Sequence, residues 1–261
     1  MRERITIDNE IIVDNIDYAG SRAWVDRRIR DGFEKPQFIF SQNALKVVTA
    51  VRDEQFRRMM KGAGLLIPDG MGFVYALRTL GINLKSQVAG VQLMQELIKR
   101  CHEKEYRVFF LGAKPGVAEQ AIQNLHEKYP GFRVAGCQDG YFDKARVDEV
   151  ITQINESEPD IMFVAMGSPL QEEFLTRHRA KLTVPVCMGV GGSFDVVAGH
   201  LDRAPAIYRK LGLEWLHRVL REPGRLANVI PGFSRFFIYL VKYRLKLFYN
   251  KSIISVKVET N

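Results

Sequence analysis

The chain has 261 residues, of which 46% are hydrophobic and 26% charged, and its formal net charge is +8. These values are typical of a folded protein with one large domain plus an appendage, and they exclude a disordered chain. The N-terminal segment has no apolar signal core and no apolar run approaches the roughly 20 residues of a membrane-spanning helix, so we expect neither export nor a transmembrane segment.

Residues 5–13 alternate in polarity around Asp8, Asn9 and Glu10, which predicts a small hairpin. From residue 37 onward, short apolar runs alternate with amphipathic segments. The predicted strands are 37–42, 63–67, 107–112, 132–136, 160–167 and 184–192, and the predicted helices are 44–60, 71–80, 91–104, 117–128, 144–156 and 170–180. This alternation predicts an α/β fold with a mostly parallel, Rossmann-like sheet and helices on both faces.

Polar, glycine-rich loops follow the predicted strands, at 41–43, 68–70, 112–116, 140–141, 166–171 and 189–195. In open α/β sheets, ligands bind outside the carboxyl ends of the strands. We therefore expect the active site to lie in a cleft that these loops form together.

Two of these loops have the composition of an anion site. The loop 112–116 joins a strand to a helix, where backbone N–H groups can bind a phosphate, although a tight turn that binds nothing is the alternative. The sequence GVGGSF at 189–194 resembles a dinucleotide fingerprint, but Phe194 occupies the third glycine position, which disfavours an NAD enzyme. Asp195 could bind ribose hydroxyls, or it could be an ordinary first-turn acid.

Asp69, between Pro68 and Gly70, is the best candidate for a general base, because a carboxylate in a confined pocket can have its pKa raised toward the working pH. A turn aspartate is the alternative. Asn43 could contact a substrate or cap the helix after it, and Gln171 could be a solvated helix residue.

No group of His, Cys and Asp has the spacing of a metal site, and the sequence contains no D-x-D triplet. The three cysteines, Cys101, Cys137 and Cys187, are therefore interpreted as reduced, packed residues. We expect no bound metal and no cofactor.

The C-terminal segment carries the excess positive charge. Residues 203–261 contain 12 Lys and Arg against 3 Asp and Glu, a net of +9, so residues 1–202 carry −1. Aromatic and aliphatic residues are interleaved with these cations, which favours an appendage that binds an anionic membrane surface. A solvated or oligomer-forming face and a nucleic-acid site are the alternatives, and no nucleic-acid motif accompanies the charge. We therefore divide the chain into a catalytic domain, 1–202, and a basic appendage, 203–261.

Seven segments, taken in order, resemble the WecG/TagA/CpsF glycosyltransferases (glycosyltransferase family 26). They are S-x-N at 41–43, IPDG at 67–70, LGAKPGVAE at 111–119, DGYF at 139–142, MGSPLQEEF at 166–174, GVGGSFDVVAGHLDRAP at 189–205 and LGLEWLHRVLREPGRL at 211–226. The last three are long and specific, and the resemblance extends from about residue 5 to residue 226.

The resemblance implies an inverting, metal-independent hexosyltransferase at the cytoplasmic face of the membrane. It implies a UDP-sugar donor, a polyprenyl-diphosphate-linked saccharide acceptor, and a product used in teichoic acid, common antigen, capsule or exopolysaccharide. The catalytic residues implied are Asp69 as the base together with Ser41, Asn43, Gln171 and Arg218. The UDP-binding residues implied are Gly112, Ala113, Gly116, Tyr141, Gly167, Gly191, Gly192, Asp195, Arg221 and Arg225. For Arg218 and Arg221, which share one helical face, contact with lipid headgroups alone is the alternative.

Gln87 and Gln92 depart from the family pattern, which usually has Arg and Asp at these positions. The identity of the transferred sugar therefore stays open. The sequence also leaves open whether the protein forms a homo-oligomer. A non-catalytic nucleotide-sugar-binding component of a polysaccharide assembly complex is the alternative function.

Overall fold

The protein is described by a computed structural model over residues 3–7, 10–32, 34–202, 204–205, 207–208, 214–221, 223–249 and 256–260. The strands in these ranges are β1 Glu3–Ile7, β2 Ile11–Asn15, β3 Gln37–Gln42, β4 Leu65–Pro68, β5 Val108–Gly112, β6 Val134–Gln138, β7 Ile161–Ala165, β8 Val186–Gly189 and β9 Val256–Thr260. The helices are α1 Tyr18–Arg30, α2 Ala44–Arg52, α3 Glu54–Lys61, α4 Met71–Thr79, α5 Gly90–Lys104, α6 Val117–Lys128, α7 Val147–Glu156, α8 Leu170–Arg177, α9 Ser193–Val197, α10 Glu214–Arg221 and α11 Leu226–Tyr249.

Six strands form one parallel sheet in the order β4-β3-β8-β7-β5-β6. This arrangement confirms the predicted α/β fold. The chain leaves β5 toward β6 on one side and leaves β7 toward β8 on the other, so the switch point of the sheet, where open α/β sheets have their ligand crevice, lies between the carboxyl ends of β5 and β7.

The sheet is buried on both faces because successive strand residues point to opposite sides. Phe110 and Phe163 contribute to the hydrophobic cluster beneath α1, α5, α6 and α9. Phe109 and Met162 contribute to the opposite cluster beneath α3, α7 and α8. Continuous apolar strands are what a doubly covered parallel sheet requires.

The hairpin of β1 and β2 protects the outer edge of this sheet. Ile7 pairs with Ile11 at its closed end, and the predicted turn residues Asp8 and Asn9 lie outside the described residues. The buried carboxylate of Asp14 accepts a 2.6 Å hydrogen bond from the Leu66 N–H on β4 and is paired with Arg4 at 2.9 Å. The hairpin thus covers a strand edge that would otherwise be open to pairing with another chain.

Two helical features differ from the sequence-based prediction. The single helix predicted over 44–60 is wrong, because Asp53 adopts an extended backbone that ends α2 and its carboxylate caps α3 at the Phe56 N–H, 3.0 Å away. The helix α1 was not predicted. Its start is fixed by Asp17, which accepts a hydrogen bond from the Gly20 N–H at 2.7 Å.

The long helix α11 packs one face against the body of the protein. Phe236 and Tyr243 are buried in a third hydrophobic cluster with residues of β1, β2, α2 and α4. The Phe236 ring lies 6.2 Å from that of Phe73, and the Tyr243 hydroxyl donates a hydrogen bond to the Glu10 carboxylate. The part of the predicted appendage that includes α11 is therefore anchored to the body.

Other side chains of α11 are exposed, namely Phe237, Ile238, Val241 and Leu245. None of the helices among the described residues, α11 included, combines the length and apolar character needed to cross a bilayer. The domain boundary at residue 202 stays a prediction, and Arg203 lies outside the described residues.

The three cysteines are free thiols. Cys101 and Cys187 are buried, and desolvation raises the pKa of each thiol, while Cys137 is half-buried. A thiol that resists ionisation is a poor nucleophile, so neither Cys101 nor Cys187 is suited to covalent catalysis.

Candidate active site

Asp69 follows β4 directly and lies at the carboxyl edge of the parallel sheet. Its N–H donates a 2.8 Å hydrogen bond to the Gln42 carbonyl at the end of β3. Its carboxylate oxygen Oδ2 accepts from the Gly90 N–H at 3.4 Å, and the side chain is half-buried. Because Gly90 is the first residue of α5, this carboxylate lies beside the N–H groups at the start of that helix.

The turn after Asp69 and the loop before α5 hold this arrangement in place. Gly70 has φ +87°, a value in the region that favours glycine, and α4 begins immediately after it. The Val88 N–H donates a 2.7 Å hydrogen bond to the Pro68 carbonyl, which fastens the loop before α5 to the end of β4. The carboxylate of Asp69 is thus held between two separate segments of the chain.

Asn43 is the N-cap residue that precedes α2, and its Oδ1 accepts a 3.0 Å hydrogen bond from the Lys46 N–H. The capping role considered for Asn43 is therefore confirmed. A cap uses one acceptor of the side chain, so the predicted contact of Asn43 with a substrate is compatible with it and stays a prediction.

A buried polar network connects β3, α2 and α8. The ammonium of Lys46 donates to Ser41 Oγ at 3.3 Å and to Glu172 Oε1 at 2.7 Å. The same Glu172 oxygen accepts from Gln171 Nε2 at 3.2 Å. Lys46 and Glu172 are 8% and 0% exposed, so this ion pair is shielded from water.

Gln171 links that network to the loop after β8. It is buried, and its Oε1 accepts a 3.0 Å hydrogen bond from the Gly191 N–H. A Cβ on Gly189 would lie 2.6 Å from Gln171 Nε2, so a larger residue there would have to displace the Gln171 amide. The interpretation of Gln171 as a solvated helix residue is thereby wrong, and its predicted catalytic role is untested.

Three glycine-rich loops meet at the crevice between β5 and β7. The Ala113 N–H donates to the Ala165 carbonyl at 2.8 Å, and the Gly140 N–H donates to the Ala113 carbonyl at 2.9 Å. Gly112 has φ +113°, and a Cβ there would lie 2.6 Å from backbone atoms of Ala165. This close backbone packing brings the segments after β5, β6 and β7 together, as the sequence predicted.

Several of the predicted UDP-binding residues follow the strands that meet at this position. Gly116 precedes α6, so the free N–H groups of that helix lie beside the loop. Tyr141 is 69% exposed, and its N–H donates to Asp139 Oδ1 at 2.8 Å. Gly167, with φ +75°, follows β7. An exposed aromatic ring suits contact with a nucleotide base. Free N–H groups at the start of a helix suit a phosphate.

The loop 189–195 completes the polar edge. Gly191 has φ +53° and precedes Gly192, the residue before α9. Asp195 is half-buried in the first turn of α9, where a negative charge is stabilised by the helix. The first-turn interpretation of Asp195 is thus confirmed, and its contact with ribose stays a prediction.

Arg221 forms an ion pair with Asp202 at 3.2 Å, and both side chains are mostly exposed. An exposed pair of this kind adds little stability, so it leaves the arginine able to exchange partners. Arg218 lies in α10 and Arg225 ends a short 3₁₀ turn, Pro223–Arg225, but their side chains lie outside the described part of the chain.

Within the described ranges, no group of three or more His, Cys, Asp or Glu residues could hold a metal ion.

Sequence analysis missed Lys46 and Glu172. Each looks like a solvated helix charge when it is considered alone. The available signal for Lys46 was its place in the first turn of α2, where a cation is disfavoured by the helix dipole and therefore requires a partner.

Comparison with known proteins gives the same family as the motifs. The sequence profile of the family described as "Glycosyl transferase WecG/TagA/CpsF family" matches residues 8–249. A protein of Bacillus spizizenii is 36% identical over 196 residues, covering 75% of this chain and 76% of that protein. A protein of Bacillus subtilis is 34% identical over 181 residues, covering 69% and 70%, respectively. Both are named N-acetylglucosaminyldiphosphoundecaprenol N-acetyl-beta-D-mannosaminyltransferase. The chain belongs to the WecG/TagA/CpsF family of glycosyltransferases.

Proposed function

We propose that this glycosyltransferase moves a sugar from a UDP-sugar to a polyprenyl-diphosphate-linked saccharide, with inversion and without a metal ion. The observation that carries the proposal is the position of Asp69. Its carboxylate lies against the N-terminus of α5, at the same sheet edge as the glycine-rich loops. The names of the two Bacillus relatives, which specify a diphosphoundecaprenol-linked acceptor, support the choice of acceptor.

In the proposed reaction, Asp69 accepts the proton of an acceptor hydroxyl as that oxygen attacks the anomeric carbon of the donor. The bond from the anomeric carbon to the UDP oxygen breaks, and its electron pair leaves with UDP. A single displacement inverts the anomeric centre and needs one base. A second carboxylate as nucleophile is required only where a covalent glycosyl-enzyme forms.

The departing diphosphate needs hydrogen-bond donors that are already in place. The loop 112–116 and the N-terminus of α6 offer backbone N–H groups, and the loop 189–192 precedes α9 at the end of the neighbouring strand β8. Arg218, Arg221 and Arg225 are the cations proposed to complete this site. Charge-assisted hydrogen bonds of arginine to phosphate are stronger than neutral ones.

The donor and acceptor can be identified together by mass spectrometry. Purified protein would be incubated with a short-chain polyprenyl-diphospho-N-acetylglucosamine and a panel of UDP-sugars, beginning with UDP-N-acetylmannosamine. Gln87 and Gln92 depart from the family pattern, so the panel should include neutral hexoses. Transfer of one sugar is the expected result. UDP binding without transfer from any donor would favour the non-catalytic alternative.

Activity is expected to survive EDTA. The proposed site meets the diphosphate with backbone N–H groups and arginines, and the sequence offers no D-x-D pair. The measurement is the rate of sugar transfer before and after chelation. Loss of the rate on chelation, with recovery on adding Mg²⁺ or Mn²⁺, would contradict the metal-independent mechanism.

We further propose that the protein is peripheral on the cytoplasmic membrane face and that α11 contributes to its membrane contact. Its exposed face combines the apolar Phe237, Ile238 and Leu245 with the exposed cations Arg235 and Lys242. Apolar side chains insert at the headgroup boundary, and each cation near an anionic surface contributes about 1 kcal/mol.

Replacing Phe237, Ile238 and Leu245 together by Ser should weaken binding to vesicles that contain phosphatidylglycerol by about tenfold or more, because fully burying one large apolar side chain contributes about 1.5–3 kcal/mol. Vesicle sedimentation would measure this. Tyr75→Ser, at an exposed aromatic residue of α4, is the matched control and should bind normally. Equal binding by the triple variant would exclude α11 as a membrane contact.

A further inference from the structure

A buried ion pair lies beneath the polar edge of the candidate site. Lys46 comes from the first turn of α2 and Glu172 from the first turn of α8, at a sequence separation of 126. Their charged atoms are 2.7 Å apart. The pair links these two helices next to Ser41 in β3 and Gln171 in α8.

The location of Lys46 is unfavourable for stability alone. The N-terminus of a helix carries a partial positive charge, so an ammonium in its first turn is repelled, and burial removes its hydration as well. A well-packed apolar pair of similar volume is often as stabilising as a buried ion pair. Local rules of this kind are broken most often at functional sites.

Each partner also forms a hydrogen bond with a predicted site residue, Ser41 or Gln171. Because Lys46 donates to Ser41 Oγ, the hydroxyl hydrogen of Ser41 is directed away from the ammonium and is available to a substrate oxygen. Because Glu172 accepts from Gln171 Nε2, the opposite end of that amide, Oε1, is fixed toward the Gly191 N–H. One ion pair therefore determines both the orientation of the Ser41 hydroxyl and, through Gln171, the position of the loop after β8.

We propose that Lys46 and Glu172 are positioning residues for sugar transfer. They fix the position of the Ser41 side chain relative to the loop that contains Gly191. This role rests on the proposed function, since neither residue is proposed to touch the substrate. The pair fixes the distance between the β3 end of the site and the loop that is proposed to lie beside the diphosphate. Small misplacements of such groups lower turnover without removing binding.

The variants Lys46→Met, Glu172→Met and the double variant separate positioning from stability. Each single variant leaves one buried charge without its partner, so its melting temperature should fall. The double variant should regain most of that loss, because the remaining side chains are both apolar. Its kcat should nevertheless stay about 10–100-fold below wild type, with the donor KM within about threefold, because the lost interaction orients groups in the transition state.

Hydrogen exchange of the Gly191 amide gives a readout that needs no substrate. The double variant should exchange this amide faster, since Gln171 loses the acceptor that orients it. The matched control is Arg100→Met with Asp26→Asn, which removes a partly buried 2.7 Å ion pair between α5 and α1, away from the sheet edge. That control should leave both Gly191 exchange and kcat unchanged.

The outcomes distinguish this proposal from the proposed function. Wild-type kcat in the double variant, or unchanged Gly191 exchange, would overturn the positioning role. Absence of sugar transfer by the wild-type protein would instead overturn the proposed function, while the exchange measurement would still decide whether the pair holds the loop.

Discussion

Asp69→Asn is expected to lower the rate of sugar transfer by about 10²–10⁴-fold, the usual effect of removing a general base. The amide has the shape of the carboxylate and keeps an oxygen that can accept from the Gly90 N–H. It cannot take up the proton of the acceptor hydroxyl. The fold and the affinity for UDP should therefore persist, which thermal unfolding and calorimetric titration with UDP would measure.

Asp53→Asn is the matched control for that substitution. Asp53 caps α3, and asparagine caps helices as well as aspartate does, so this variant should behave as wild type. If Asp69→Asn keeps the wild-type rate at saturating acceptor, Asp69 is a turn residue and the proposed base must lie elsewhere.

Gly112→Ala is expected to cause the largest loss of stability among single substitutions at the candidate site. The backbone there has φ +113°, which costs about 1–3 kcal/mol for a residue with a side chain. The new Cβ would also lie 2.6 Å from the backbone of Ala165, and such overpacking costs about 1–3 kcal/mol. At about 2–4 °C per kcal/mol, the melting temperature should fall by roughly 5–20 °C.

Gly131→Ala separates these two effects. Gly131 also has positive φ, at +83°, but a Cβ there meets no atom within 4 Å. Its loss of stability should therefore reflect backbone conformation alone and be clearly smaller than that of Gly112→Ala. Equal melting temperatures for the two variants would show that the backbone of β7 can move to make room.

The strands and their order in the chain could be predicted because each parallel strand is a short apolar run bounded by polar loops. The break between α2 and α3 could not, because the apolar spacing continues through Asp53, and an aspartate within a helical pattern does not by itself indicate a cap. Within the part of the chain that the structure describes, the strand β9 pairs with β1 alone, although the two strands are far apart in sequence. Its pairing is decided by tertiary structure, so the local pattern carried too little information to predict it.

The candidate site was predictable to the extent that it follows from strand ends. Once the strands are parallel, the segments at 41–43, 68–70 and 112–116 must lie on one edge. The sequence did not indicate that Asp69 bonds to Gly90, or that Lys46 pairs with Glu172. These contacts depend on how helices far apart in sequence are oriented on the sheet, and spacing along one segment does not encode that.

The pairing of β1 with β9 has a consequence for biosynthesis. Glu3 lies opposite Thr260, so β1 is paired on this side by a strand that is translated after the whole six-stranded sheet. Until then, one edge of β1 has no partner, and an open strand edge favours aggregation of nascent chains. The six-stranded sheet lies within residues 37–189 and needs no later segment for its strand pairing. Completion of the three-stranded sheet that β2, β1 and β9 form in this order therefore waits until residues 256–260 have left the ribosome.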